Sequence, residues 1–143
     1  MSNTAEPRPV VALGTKTARD ALAARDLVLG SHPPGTALAT LADLIRETAA
    51  NVDEVQQKLL QRADSAIRQL QSVTLGRDRY RHGSTDGLLQ FLGVEIDTLV
   101  ARRGEGIQLL RLLTTSYADL NGAPKPPPAP GPSRLPTPRR GGR

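Results

Sequence analysis

Between Thr36 and Leu75 one line of positions recurs every three or four residues: Leu38, Leu41, Ile45, Thr48, Val52, Val55, Leu59, Ala63, Ala66, Leu70 and Val73. The two step sizes alternate except around Leu59, where two fours adjoin. This is a heptad seam with one stutter, the mark of a helix that turns one face to a neighbour along its whole length. Neither proline nor glycine interrupts the stretch. Thr36 or Thr40 can cap its start and Gly76 its end. At about 1.5 Å per residue such a helix spans roughly 55–60 Å.

A second apolar line runs through Leu89, Leu92, Ile96, Leu99, Ile107, Leu110, Leu113, Tyr117 and Leu120, with Thr85 or Asp86 as its cap and Asn121-Gly122 as its end. Gly104 and Gly106 lie within it, so the helix either kinks there or meets a neighbouring backbone at close range. The polar segment from Gly76 to Ser84 is too short for anything but an antiparallel return. Folding about residue 81 sets Ala66 opposite Ile96, Ala63 opposite Leu99, Leu59 opposite Arg103 and Ile45 opposite Tyr117. Upstream, Thr17 can start a short helix carrying Ala18, Ala21, Leu22, Val28 and Leu29, with Gly30 at its end and Pro33-Pro34 beyond. The predicted fold is all-α: a long antiparallel, coiled-coil-like hairpin with a short N-terminal helix across its open end. Residues 1–16 form a flexible leader, 17–121 the helical domain and 122–143 a tail.

Composition sharpens this. Aromatic residues are 2% of the 143, only Phe91, Tyr80 and Tyr117, so the core is aliphatic and suits a slender bundle. Cysteine is absent, which removes disulfides and thiolate chemistry. The N-terminal residues are polar and carry Pro7 and Pro9, unlike a signal peptide, and no apolar run reaches membrane-spanning length, so a cytoplasmic protein is expected. Arginine far outnumbers lysine, a codon signature of a GC-rich, bacterial or phage genome.

The 14 acidic residues all precede Gly122, and so do 14 of the 19 basic ones. The formal +5 therefore belongs to the tail, which also holds eight of the 12 prolines and is expected to be disordered and partly polyproline II.

Catalysis needs convergent polar groups in a sheltered cleft. The two histidines, His32 and His82, fall in predicted loops and read as solvated. No zinc, nucleophile-elbow or phosphate-loop motif is present. A non-enzyme without cofactor or metal is the expectation. The leading function is a helical interaction or scaffold module, an adaptor that self-associates or docks on a protein. Leu88, Val100 and Leu112, which widen the apolar face of the last helix, and Leu38, Leu41 and Ile45 at the start of the long one are its candidate contacts. A second possibility is a nucleic-acid-binding accessory protein: Arg77, Arg79, Tyr80 and Arg81 in the turn, with Arg139 and Arg140 in the tail, are the residue types that grip phosphates and stack on bases.

Over Thr36–Asn121 the predicted architecture resembles the small exported substrates of type VII secretion systems, which carry Trp-x-Gly in the turn and Tyr-x-x-x-Asp/Glu after the second helix. Here the turn has no tryptophan, and Tyr117 is followed four residues later by Asn121 rather than an acid. The likeness is architectural, and it implies a third possibility, an exported hairpin.

Overall fold

A computed structural model of the chain describes residues 8–78, 87–122 and 131. The leader before Arg8, the turn residues Arg79, Tyr80, Arg81 and His82, the proposed caps Thr85 and Asp86, and the tail apart from Gly122 and Gly131 lie outside the described residues. Three helices, α1 (Leu13–Ala23), α2 (Ala37–Thr74) and α3 (Gln90–Leu120), make up the regular structure of the described residues, with no strand among them. The expected hairpin is present: α2 and α3 pack along one another and α1 packs against both. No helix among the described residues is long and apolar enough to cross a membrane.

Local chemistry explains the ends of α2. Thr36 is extended and its hydroxyl accepts the Ala39 N–H at 3.2 Å, covering one of the orphan donors of a helix start. At the other end Gly76 takes φ +63°. The Arg77 N–H donates to the Ser72 carbonyl and the Gly76 N–H to the Val73 carbonyl, both at 2.9 Å. This is a Schellman closure, and glycine adopts its left-handed residue without strain.

The ends of α1 differ from expectation for two physical reasons. It begins at Leu13, four residues before Thr17, because its cap comes from another helix. Ala12 offers no side-chain cap; instead Asp53 of α2 accepts the Gly14 N–H at 2.5 Å and the Thr15 N–H at 3.1 Å, and its second oxygen accepts the Thr15 hydroxyl at 2.5 Å. The helix ends at Ala23 because Asp26, at φ +54°, performs the left-handed turn expected of Gly30. The Leu27 N–H returns to the Leu22 carbonyl and the Asp26 N–H to that of Ala23. Aspartate tolerates this conformation better than most residues. Val28 is therefore off the helix and exposed, while Leu29 folds back against the core.

The core lies where all three helices meet. Ala18, Leu22, Ala42, Ile45, Ala49, Val52, Leu110 and Tyr117 form one buried cluster. Ile45 and Tyr117 share it, as the hairpin requires. Along α2 the buried residues are Ala42, Ile45, Ala49, Val52, Gln56, Leu59 and, in the second half, Ala66, not Leu41, Thr48 and Val55. The buried face is rotated toward α1, whose close approach turns alanines into core residues.

That closeness centres on Val52. A methyl group on Gly106 of α3 would sit 2.5 Å from Val52 Cγ2, and one on Gly14 of α1 would overlap the Ala49 carbonyl oxygen and sit 2.8 Å from Val52 Cβ. Gly14 thus brings α1 onto the α2 backbone at Ala49, and Gly106 brings α3 onto Val52 one turn further on. Gly106 marks a close approach rather than a kink, since α3 runs unbroken through it. Gly104 faces open space.

The register differs from the expected one. Arg103 meets Gln56, Gly106 meets Val52 and Glu95 pairs with Arg62. Relative to a fold about residue 81, α3 has slid by roughly one turn, about 5.4 Å. A one-turn slip returns similar faces to contact, which is why the apolar lines still meet although the pairings change.

Candidate functional site

Polar fasteners close the end of the bundle where the chain turns from α1 into α2. The buried Tyr117 hydroxyl accepts the Gly30 N–H at 3.2 Å and lies 2.6 Å from His32 Nε2, whose ring meets the tyrosine edge-on at 5.5 Å. His32 is thus half-buried and partnered, not the solvated loop residue expected. Arg25, its side chain 8% exposed, donates to Asp119 at 2.8 Å. Arg46 donates to the Gly30 carbonyl and to Asp43, each at 2.9 Å. These bonds hold the 24–36 segment across the end of the hairpin.

Among the described residues, no three His, Asp or Glu side chains converge as metal ligands, and no buried side-chain nitrogen or oxygen lacks a partner. A cavity of about 390 Å³ lies between α1, the following turn and α2, walled by small and aliphatic side chains such as Ala18, Leu22, Leu29, Ile45 and Ala49. It is the space left where alanines on α1 and α2 face each other.

The site of interest is the half of the hairpin that α1 does not reach. On α2, Ala49, Asp53, Gln56, Leu60, Ala63 and Ile67 follow one another in steps of four and three and therefore share one side of the helix. The first three face α1. Gly14 packs on Ala49, Asp53 caps α1, and Gln56 Nε2 donates to the Val10 carbonyl at 2.8 Å. Gln56 Oε1 also accepts from Arg103 Nη1 at 3.0 Å, a polar bridge across the hairpin where the third helix stops. Beyond it the stripe continues as Leu60 and Ala63, half-buried, and Ile67, 53% exposed. On α3 the side that meets α1 at Thr114 and Arg111 continues through Ile107 to Val100 and Ile96. Val100 is 42% exposed. An apolar groove thus extends the line of α1, and no third helix of the described residues lies in it. Leu70 borders it and is also exposed. Phe91 and Val94, exposed near the start of α3, lie around the helix from Ile96 and Val100 and make that half apolar on a second side.

The residues expected at an interface separate accordingly. Val100 lies in the groove. Leu112 is 67% exposed but sits about 120° away around α3, twelve residues at 100° each. Leu88 precedes the helix and is half-buried. Leu38 and Leu41 pack against the core cluster. Ile45 is fully buried inside the bundle and presents nothing to a partner; its seam position is spent on α1 and α3. Of the arginine loop, Arg77 is described and exposed; Arg79, Tyr80 and Arg81, like Arg139 and Arg140, lie outside the described residues. Leu60 and Ile67 were not on the expected seam. The signal for them was the run of steps through Ala49, Asp53 and Gln56, masked by the polar pair in its middle.

The fold and this groove define a small all-helical protein that is a three-helix bundle over one half and a two-helix hairpin over the other. Compared with known proteins, the chain matches no family model, no curated protein and no solved structure.

Proposed function

We propose that this chain is a non-catalytic helical interaction module whose docking face is the open groove beside Leu60, Ala63, Ile67, Ile96 and Val100. One observation carries the reading: the stripe that seats α1 continues past the end of α1 with aliphatic side chains left in water. Fully burying a valine or isoleucine stabilises by about 1.5–3 kcal/mol. Ile67 and Val100 keep about half of their surface exposed, so a helix laid in the groove gains from both, and from the half-buried Leu60 and Ile96. Helix-in-groove docking uses anchors at this spacing.

The chain has no cysteine, which makes the test clean. Ile67→Cys and Val28→Cys each offer one thiol, in the groove and on the exposed turn after α1. Each is labelled with a benzophenone and irradiated in extract of the cells that make the protein. Adducts with protein from position 67 and not from position 28 are the expected result. Equal yields, or none from 67, would remove the groove as a docking face.

A further inference from the structure

We infer that the occupant of the groove is the same groove on a second copy of this chain, giving an antiparallel pair that overlaps only in its two-helix halves; this rests on the docking reading above. Shape argues for it first. Among the described residues of each copy no third helix covers this stretch, and an apolar helical surface of the kind that would cover it is what the other copy's bare half supplies. A two-fold axis across the rods lays α2 on α2 and α3 on α3 in opposite directions. It also carries the two α1 helices to opposite ends, where they do not collide. Such a closed, isologous contact is the commonest form of homo-oligomer.

Charge agrees. Within the α2 stripe from Leu60 to Ile67 the one charged side chain at i,i+3 or i,i+4 spacing is Asp64, and it already has a cationic partner. At its rim Arg68 pairs with Asp64 of its own helix. With the axis crossing α2 near Ala66, Arg68 of one copy falls opposite Asp64 of the other, and two local pairs become one alternating set of four. Arg62 is held by Glu95 at 2.8 Å on the opposite flank and stays clear of the contact.

Area sets the strength. The open half runs for about 25 Å at 1.5 Å per residue, and two helices 8–10 Å apart are about 20 Å across. The footprint is roughly 500 Å² per copy, so a pair buries about 1,000 Å², at the lower bound for a specific interface. The pair is therefore a weak, concentration-dependent dimer, not an obligate one.

Sedimentation equilibrium of the full chain tests this. The 15.3 kDa chain is expected to reach twice that mass as concentration rises through the micromolar range, and Ile67→Asp to weaken the pair at least tenfold while leaving helicity unchanged. Ile67→Cys under mild oxidation is expected to give the disulfide-linked dimer at least tenfold faster than Val28→Cys. A chain that remains monomeric at several hundred micromolar, or that crosslinks equally from both positions, overturns the inference. The benzophenone label separates the two levels of the account. An adduct from position 67 with the mass of a different protein overturns the second copy but keeps the docking face, and no adduct at all overturns both.

Discussion

The two aromatic side chains in the described residues sit in the two halves of the molecule and meet opposite fates. Tyr117 is 1% exposed, packed among Ile45, Leu110 and Leu22, with its hydroxyl holding Gly30 and His32. Phe91, near the hairpin turn, is 74% exposed. One helix carries both, so the difference is not one of secondary structure. It is the presence of α1. Where α1 lies against the hairpin, two rows of aliphatic residues become a closed core. Where it stops, at the Gln56–Arg103 bridge, similar residues cover only each other. Two helices have too little interior to hide both of their apolar faces. A helical seam therefore yields a core or a docking surface according to what lies over it.

The sharpest way to break this comparison is to cut both aromatic rings back. Tyr117→Ala removes a buried ring and leaves Gly30 and His32 without their common partner, with an expected loss of about 3–5 kcal/mol. Phe91→Ala is expected to change stability by less than about 0.5 kcal/mol. Urea unfolding of the two variants, at concentrations where the chain is monomeric, gives the contrast directly.

The next effect pairs the two glycines that flank Glu105. Gly106→Ala drives a methyl into Val52 and should cost about 1–3 kcal/mol. Gly104→Ala meets nothing within 4 Å and should stabilise α3 by about 1 kcal/mol, the propensity difference alone. Thermal unfolding of both variants reads opposite signs if Val52 is where the three helices close.

Asp53→Ala removes the acceptor of three hydrogen bonds at the start of α1. Loss of about 1–2 kcal/mol is expected, with Leu13–Ala18 gaining hydrogen exchange before α2 does. If the loss is absent, α1 is capped by something other than the long helix.

The smallest effect is acidic. The Lys16 ammonium, by its hydrogen bond, holds the Asp20 carboxyl below its ordinary value of 3.8, and Lys58 does the same for Glu54 below 4.5. Both carboxylates bind protons less readily folded than unfolded, so their contribution is fully present above pH 4.5 and is lost as pH falls below it. Both are exposed, so the change is slight. The urea midpoint of the Asp20→Asn, Glu54→Gln double variant is expected to fall less steeply than wild type below pH 4.5 and to match its slope above.

These contrasts also show what was legible in the chain before its structure. Thr36 and Gly76 bound α2 because both signals are local: a hydroxyl three residues before an N–H, and a residue free to take positive φ. The apolar lines of the hairpin were legible for the same reason. The register was off by about one turn, because periodicity fixes which faces meet and not which turn of one helix lies beside which turn of the other. The start of α1 could not be read locally, since its cap, Asp53, is 39 residues from Gly14 in sequence. Ala42 and Ala49 did not stand out as core positions because alanine is buried only where another backbone comes close. The groove went unseen because the stripe that forms it is interrupted by Asp53 and Gln56, polar residues whose purpose appears only once α1 is in place.

Hydrogen exchange followed by mass spectrometry, peptide by peptide and at two protein concentrations, tests the asymmetry most directly. In dilute solution the amides of 42–56 and 108–118 should exchange only with global unfolding, while those of 63–74 and 92–100 open more readily and gain at least tenfold protection at high concentration. Equal protection of both halves in dilute solution, with no change on concentration, would contradict the account.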